Sequence, residues 1–185
     1  PNEMAQTEAA FGHPLAHYWV HNEFMLVDGN KMSKSKGNSY TLRDLPERSF
    51  QPLSYRLLVL QAHYRSELNF TWESLEAAQN TLINLYAFAD LKHQTNLSEV
   101  RLDADVIPNL LERISVSLAD DLNTTGALAE LFAYATSLSP RMTLSAEDFD
   151  KLLSGLDQLL GLGLSHLPDI TPELELLRAE RETTR

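Results

Sequence analysis

The sequence predicts a mainly α-helical protein with one β-strand near its N-terminal end. Four segments repeat apolar residues at intervals of three and four, the spacing that places them on one face of a helix. Residues 18–27 (YWVHNEFMLV) are instead aromatic, β-branched or large and apolar, and the turn pair Asp28-Gly29 follows them. Successive amphipathic helices bury their apolar faces most simply against one another, so we expect a helical bundle.

The elements before the bundle follow in order. Residues 2–11 (NEMAQTEAAF) are mostly helix formers and precede Gly12, so we expect a short helix that stops there. The strand at 18–27 then enters a loop that contains lysines. Thr41 and Asp44 form a capping-box pattern, which predicts that this loop ends by Thr41 and that a helix follows.

The pattern after the loop is helical to the end. Residues 52–63 form one segment, and Thr71 caps a longer one. The apolar stripes are Leu75, Ala78, Leu82, Leu85 and Ala89; Val106, Ile107, Leu110, Leu111, Ile114 and Leu118; Leu128, Leu131, Phe132, Ala135 and Leu138; and Phe149, Leu152, Leu153, Leu156 and Leu160. Asn123 is an N-cap candidate, and Ser145 with Asp148 forms a second capping-box pattern.

Three further signals mark boundaries in the C-terminal half. Pro140 follows a helix, and Thr171-Pro172 opens a last one. The polar stretch 92–103 (KHQTNLSEVRLD) interrupts the apolar period and is the best linker candidate.

Composition limits the classes of function. The 15 basic and 26 acidic residues give a net charge of −11, which argues against broad wrapping of nucleic acid and restricts any RNA contact to a local patch. The chain has no cysteine, which excludes disulfides and suits a reducing cytoplasm. No apolar run approaches the roughly 20 residues of a membrane span, and there is no signal peptide. The sequence begins at Pro1, so we expect it to be part of a longer protein.

Residues 28–38 (DGNKMSKSKGN) are the most informative string in the chain. Lys31, Lys34 and Lys36 alternate with serines between two glycines. Such a loop suits a polyphosphate, because ammonium groups supply charge, hydroxyl and backbone N–H groups supply directed donors, and glycines allow a close approach. Lysines held against a departing pyrophosphate stabilise the transition state more than the ground state. The alternative interpretation is a solvated hairpin tip.

KMSKS, residues 31–35, is the signature pentapeptide of class I aminoacyl-tRNA synthetases. PNEMAQTEAAFG, HYWVHNEFMLVDGNKMSKSKGN, HYRSELNFTWESLEAA and SLADDLNTTGALAELF resemble successive segments of cysteinyl-tRNA synthetases. This resemblance implies the last strand and KMSKS loop of a Rossmann-type catalytic domain followed by a helical bundle. It implies three regions: the end of the catalytic domain at 1–40, a helical stem-contact region at 41–92, and a tRNA-binding bundle at 103–185.

The resemblance also implies roles for individual residues. Lys31 and Lys34 are the lysines expected to bind the ATP phosphates during catalysis, and Met32, Ser33 and Ser35 complete the motif. Glu3 occupies the position of a glutamate that helps the family hold a zinc ion for the substrate thiolate. One carboxylate cannot hold zinc alone, so we expect no tight zinc binding by this chain. From the sequence alone, Glu3 is better explained as an acidic residue in the first turn of a helix.

The remaining candidates have two interpretations or a structural one. His63, Tyr64 and Arg65 either contact the tRNA acceptor stem or pack at a helix end. His21 either faces the nucleotide or packs in the core. We assign Trp19 and Trp72 to the core, His13 and His17 to structural or surface positions, and Asp120-Asp121 to the N-terminus of the helix that Asn123 caps.

The resemblance implies a cysteine–tRNA ligase that uses ATP, with magnesium, to form cysteinyl-adenylate and then charges tRNA(Cys). We expect a cytoplasmic enzyme that binds neither membrane nor DNA, and we expect this piece of it to be inactive alone. Two alternatives are a cysteine ligase of the mycothiol pathway, which joins cysteine to an amino sugar, and a non-catalytic module that binds tRNA or protein.

Overall fold

The computed structural model describes residues 2–14, 16–93, 100–101, 105–137, 142–143 and 145–167. The α-helices are α1 (Asn2–Phe11), α2 (Asp44–Glu47), α3 (Pro52–Leu60), α4 (Trp72–Ala89), α5 (Val106–Ala119), α6 (Thr124–Ser137) and α7 (Ala146–Leu160). The strands are β1 (Met25–Val27), β2 (Asn30–Lys31), β3 (Leu68–Phe70), β4 (Val100–Arg101) and β5 (Met142–Thr143), and 3₁₀ turns span Lys34–Lys36 and Asp90–His93. The mainly α fold class is confirmed.

Side-chain caps fix the starts of α4, α6 and α7 where the sequence places them. The Thr71 hydroxyl accepts the Ser74 N–H at 3.0 Å, and the Ser74 hydroxyl accepts the Thr71 N–H at 3.0 Å, which completes a capping box on α4. The Asn123 side-chain oxygen accepts a backbone N–H of α6 at 2.8 Å. Ser145 accepts the Asp148 N–H at 3.1 Å and so caps α7. The caps at Thr71, Asn123 and Ser145 are confirmed, but the predicted capping box of Ser145 and Asp148 forms only in part, because the Asp148 carboxylate accepts from the Ser145 hydroxyl.

The predicted strand at 18–27 is mostly wrong. Helix α1 forms and ends before Gly12 as expected, but only Met25–Val27 of the following stretch is a strand. The side chains of Tyr18, Val20 and Phe24 are exposed, because no strand lies beside residues 18–24 in the described part of the chain. Trp19 is 40% exposed and stacks on His21, so its assignment to the core is also wrong.

A small sheet has the strand order β2-β1-β3. Strands β1 and β2 are antiparallel, with Val27 opposite Asn30, whereas β1 and β3 are parallel, with Val27 opposite Phe70. The expectation of unbroken helix after the loop is therefore wrong at β3. Three residues are too few to show a strand period, and their pairing partner lies about 40 positions upstream.

The larger hydrophobic cluster, here called the bundle core, joins α3 through α7. Its buried members are Leu57, Leu82, Leu85, Phe88, Ala89, Ile107, Leu110, Ile114, Ala127, Leu128, Leu131, Tyr134, Phe149, Leu152, Leu153, Leu156, Leu160, Leu162 and Leu164. The predicted stripes supply most of these residues, which confirms the bundle. Residues from both sides of the linker candidate share this core, and the division into three regions stays a prediction.

A smaller cluster, here called the sheet core, lies beneath β1 and β3. Its buried members are Val27, Leu45, Leu58, Phe70, Leu75 and Ala78. Trp72 packs against it, 5.3 Å from the Phe70 ring and 5.6 Å from the Phe50 ring between ring centroids. The assignment of Trp72 to the core is therefore supported, although the side chain is only partly buried.

Some predictions concern residues outside the described ranges. These are Pro1, Leu138, Pro140, the helix at Thr171-Pro172, and most of the linker candidate at 92–103. Among the described residues, no helix is long and apolar enough to cross a membrane.

Candidate functional site

The lysine loop, residues 28–38, is anchored at its first turn. Asp28 and Gly29 both adopt positive φ, 50° and 70°, and form the tight turn of the β1–β2 hairpin. The Gly29 N–H donates to the Asn69 side-chain oxygen at 2.8 Å, and the Asp28 N–H donates to the Phe70 carbonyl at 3.0 Å. Strand β3 therefore fixes the start of the loop, which leaves the sheet at the carboxyl ends of the two parallel strands.

The second half of the loop folds back on itself. The Lys36 N–H donates to the Ser33 carbonyl at 3.1 Å, and the Gly37 N–H donates to the Lys34 carbonyl at 3.2 Å. Gly37 has φ of 69°, a conformation that favours glycine and reverses the chain after the 3₁₀ turn. The loop is thus a compact tip with an internal hydrogen-bonding pattern.

The cationic side chains of this tip are available to an anion. Lys31, Lys34 and Lys36 are all exposed, and within the described ranges none has a carboxylate at ion-pair distance. The Ser33 and Ser35 hydroxyl oxygens lie 2.9 Å apart. The structure therefore brings the predicted lysines and serines together on one tip, with a positive charge that no described acidic group neutralises.

Met32 ties the loop to the body of the protein. Its side chain is partly buried against the sheet core, unlike the neighbouring lysines. It lines a largely apolar cavity of about 290 Å³, whose other lining residues are Met25, Tyr40, Thr41, Leu42, Leu45, Tyr55 and Phe70. The motif methionine thus packs inward while the charged residues on either side face solvent.

The predicted capping box after the loop is half formed. The Asp44 carboxylate accepts hydrogen bonds from the Thr41 N–H and from the Thr41 hydroxyl, the latter at 3.0 Å. These bonds lower the pKa of the Asp44 carboxyl below its ordinary value. The Asp44 N–H instead reaches the Thr41 carbonyl at 3.1 Å, and α2 starts at Asp44 without a side-chain cap.

His63, Tyr64 and Arg65 converge on Asp121. The Tyr64 hydroxyl donates to the Asp121 carboxylate at 2.7 Å, and an Arg65 guanidinium nitrogen lies 3.2 Å from the same carboxylate. His63 Nε2 lies 3.0 Å from the Asp121 carbonyl oxygen. The hydrogen bond to the carboxylate raises the pKa of Tyr64, because ionising the phenol would bring a second negative charge beside it.

This cluster corrects the interpretation of Asp121 as a charge for the N-terminus of α6. Asp121 adopts φ of 52°, in the corner between α5 and α6, and its carboxylate binds the segment after α3. The arrangement supports helix-end packing for His63 and Tyr64. Contact of His63, Tyr64 and Arg65 with tRNA stays a prediction.

The zinc prediction rests on one exposed side chain. Glu3 lies in the first turn of α1, a helix with no buried residue. Within the described ranges no three His, Cys, Asp or Glu side chains are grouped so that they could hold a metal ion. His13 and His17 are exposed, as expected, and so is His21, which makes its core interpretation wrong.

Sequence reasoning missed the asparagines that shape the lysine loop. Asn69 holds the hairpin turn, and Asn38 bonds to the backbone of Lys31 and Ser33 within the motif. The pair Gly37-Asn38 is a turn signal that could have indicated a chain reversal there. Nothing local in the sequence marks Asn69, because its role depends on the pairing of β3 with β1.

Comparison with known proteins agrees with this geometry. Residues 1–80 match the family of class I tRNA synthetase (C) catalytic domains. The chain is 37% identical over 201 residues to a cysteine–tRNA ligase of Chlamydia muridarum, which covers 100% of this chain and 42% of that protein. It is 40% identical to cysteine–tRNA ligase 1 of Burkholderia lata, over 100% of this chain and 37% of that protein. It is also 40% identical to the cysteine–tRNA ligase of Synechococcus elongatus, over 98% of this chain and 40% of that protein.

The parallel strand pair, the KMSKS loop at its carboxyl end and the match over residues 1–80 make this part of the chain similar to the catalytic domain of class I aminoacyl-tRNA synthetases. Within that class, the chain is similar over nearly its whole length to cysteine–tRNA ligases. It spans 37–42% of the length of these three curated relatives.

Proposed function

We propose that this chain supplies the phosphate-binding loop and the helical region of an ATP-dependent cysteine–tRNA ligase. The observation that carries the proposal is the lysine loop: KMSKS stands at the carboxyl end of a parallel strand pair, where nucleotides bind in open α/β sheets. Its lysines project from a tip that is internally hydrogen-bonded and unpaired with any described carboxylate. The similarity of the whole of this chain to part of a cysteine–tRNA ligase supports cysteine as the amino acid.

The proposed chemistry has two steps. The cysteine carboxylate attacks the α-phosphate of ATP, the bond to the β-phosphate breaks, and pyrophosphate leaves with the negative charge that develops. Lys31 and Lys34 are placed to bind that charge, which grows as the bond breaks, so their contribution is larger in the transition state than in the ground state. The cysteinyl group then passes from the adenylate to the terminal adenosine of tRNA(Cys).

Ser33 and Ser35 are the proposed donors that direct the phosphate oxygens toward the lysines. Their hydroxyl groups face each other at 2.9 Å, and either can turn toward an oxygen that enters between them. Met32 contributes by anchoring the tip through apolar contacts rather than by touching phosphate. Magnesium enters this proposal only with ATP, as part of the substrate.

Zinc fits the described residues poorly. Glu3 is a single exposed carboxylate, and no described group of three ligands surrounds it. A zinc contact of Glu3 therefore needs further ligands that the described residues do not provide, and it stays a prediction from the family resemblance.

The tRNA partner is proposed to contact the corner that Asp121 organises. Arg65 is 65% exposed in its side chain, so it can exchange its carboxylate partner for an RNA phosphate. A cytoplasmic location and the absence of a DNA partner belong to the same proposal, since ATP, cysteine and tRNA are substrates of protein synthesis.

The test is cysteine-dependent exchange of pyrophosphate into ATP by the complete gene product. Lys31→Ala/Lys34→Ala should lower the exchange rate by at least about a hundredfold, because two charge-assisted contacts to the leaving group are lost. Lys151→Ala is the matched control, an exposed lysine in α7 that pairs with Glu147 and Asp148. Exchange that survives the double substitution unchanged would contradict the role of the loop.

Aminoacylation by the same gene product identifies the acceptor. We expect charging of tRNA(Cys) with cysteine. Charging of an amino sugar without charging of tRNA would reject the proposed function in favour of a mycothiol-type ligase, and absence of any cysteine activation would favour a binding module.

A further inference from the structure

Asn38 bonds to the backbone of two residues in the first half of the KMSKS motif, Lys31 and Ser33. Its side-chain oxygen accepts the Ser33 N–H at 2.8 Å, and its side-chain nitrogen donates to the Lys31 carbonyl at 3.3 Å. The two partners fix the orientation of the amide, since an N–H requires an acceptor and a carbonyl requires a donor. Asparagine thus closes an eight-residue ring from Lys31 to Asn38.

Among the described residues, no other hydrogen bond joins Lys31 to Asn38. The remaining backbone bonds of the tip run from Lys36 to Ser33 and from Gly37 to Lys34, so they lie within the second half of the loop. Met32 holds the loop to the sheet core through apolar contacts. Such contacts are non-directional, so they fix how close the loop lies to the core but not the orientation of the loop backbone. Strand pairing holds Lys31 opposite Leu26 of β1, and the Asn38 amide adds the connection from Lys31 and Ser33 to the end of the tip that contains Lys34.

We propose that Asn38 is a positioning residue for the lysine loop, which it keeps closed so that the ammonium groups of Lys31 and Lys34 converge on one polyphosphate. The catalytic consequence rests on the proposed function. Alanine at this position removes the acceptor and the donor together, aspartate lacks the donor, and serine is too short to reach both backbone groups. A residue that served only the local turn would need neither the bond to Ser33 nor the bond to Lys31.

Loop closure is tested on the 185-residue chain by amide hydrogen exchange, measured by NMR at Ser33. Because the Ser33 N–H donates to the Asn38 side chain, Asn38→Ala should speed its exchange by roughly 5- to 30-fold, the factor expected for loss of one or two hydrogen bonds. Asn80→Ala, at an exposed position of α4, is the matched control and should leave the Ser33 rate unchanged. An unchanged rate in Asn38→Ala overturns the proposal.

The catalytic consequence is tested in the complete gene product. Asn38→Ala should lower kcat for pyrophosphate exchange by a similar roughly 5- to 30-fold factor while the KM for cysteine and the thermal midpoint stay near those of Asn80→Ala. A structural role alone would lower the midpoint and leave kcat per folded molecule intact, which would overturn the assignment. Absence of exchange in the unaltered protein would refute the proposed function and the catalytic part with it, whereas Ser33 protection decides loop closure independently.

Discussion

Leu152→Ala tests whether the region around the lysine loop and the C-terminal helices form one cooperative unit. Leu152 is fully buried in the bundle core on α7. Helix α4 connects the two cores, because Leu75 and Ala78 belong to the sheet core whereas Leu82 and Leu85 belong to the bundle core. Damage to α7 should therefore weaken α4 along its whole length, including the part beneath the lysine loop.

The magnitude follows from the burial. A Leu→Ala change at a fully enclosed site removes transfer free energy and leaves a cavity, which together cost about 2–5 kcal/mol. A loss of about 3 kcal/mol, in the middle of this range, is a large share of the roughly 5–15 kcal/mol free energy of unfolding of a typical domain. For a chain of this size, such a loss lowers Tm by about 6–12 °C. Val116→Ala, on the exposed face of α5, should cost less than about 0.5 kcal/mol and serves as the control.

The assay is urea unfolding of the 185-residue chain followed by two probes. The chain has two tryptophans, and Trp19→Phe leaves Trp72, which packs on the sheet core, as the fluorescent reporter. Far-ultraviolet circular dichroism reports mainly the bundle helices. We expect Leu152→Ala to lower both midpoints equally. A Trp72 midpoint that stays in place while the dichroism midpoint falls would refute the shared unit and support a domain boundary near 92–103.

Two further predictions concern ionisable groups. Burial alone would raise the pKa of Asp157, but hydrogen bonds from the Ser165 hydroxyl and N–H and from nearby backbone N–H groups outweigh it and hold that pKa below its ordinary value. Asp157 therefore stabilises the fold above the ordinary carboxyl pKa and loses this effect as pH falls through its lowered value. Urea unfolding of Asp157→Asn at neutral and acidic pH should show lower stability and a weaker acid dependence, with exposed Asp150→Asn near wild type. Asp121→Asn should lower the pKa of Tyr64 toward its ordinary value in an NMR titration assigned with Tyr64→Phe; an unchanged pKa would contradict the contact.

The helices were predictable because their signal is spread over many residues. Each stripe repeats over three or more turns, and single exceptions such as Tyr134 do not change the period. Caps at Thr71 and Ser145 were predictable for a different reason, since a cap is a bond between neighbours in sequence.

The strand predictions failed where strand formation depends on a pairing partner that is distant in the sequence. Residues 18–24 have strand-like composition but no described neighbour to pair with, whereas Leu68–Phe70 has a weak local signal and a partner in β1. Composition alone cannot supply a missing partner strand or reveal a distant one.

The candidate site divides in the same way. Lys31 and Lys34 were predictable from a contiguous motif, and the structure places both on the exposed tip. Asn69 and Asp121 were not, because each acts on a segment at least 40 residues away in the chain. The charged groups that would contact a ligand thus lie in one short sequence motif. The groups that hold them in place lie in distant parts of the sequence.

The anchoring of Gly29 by Asn69 links the lysine loop to a segment 40 residues further along the chain. On a ribosome, the KMSKS string emerges well before β3 exists, and until β3 forms the hairpin turn lacks both of its outside hydrogen bonds. The loop therefore acquires its final geometry only after α3 has folded and the backbone has returned to β1. Bringing β3 beside β1 closes a long chain segment, and local contacts do not offset the entropy lost in that closure. Insertions between Thr41 and Glu67 would consequently act on the signature loop without altering a single residue of it.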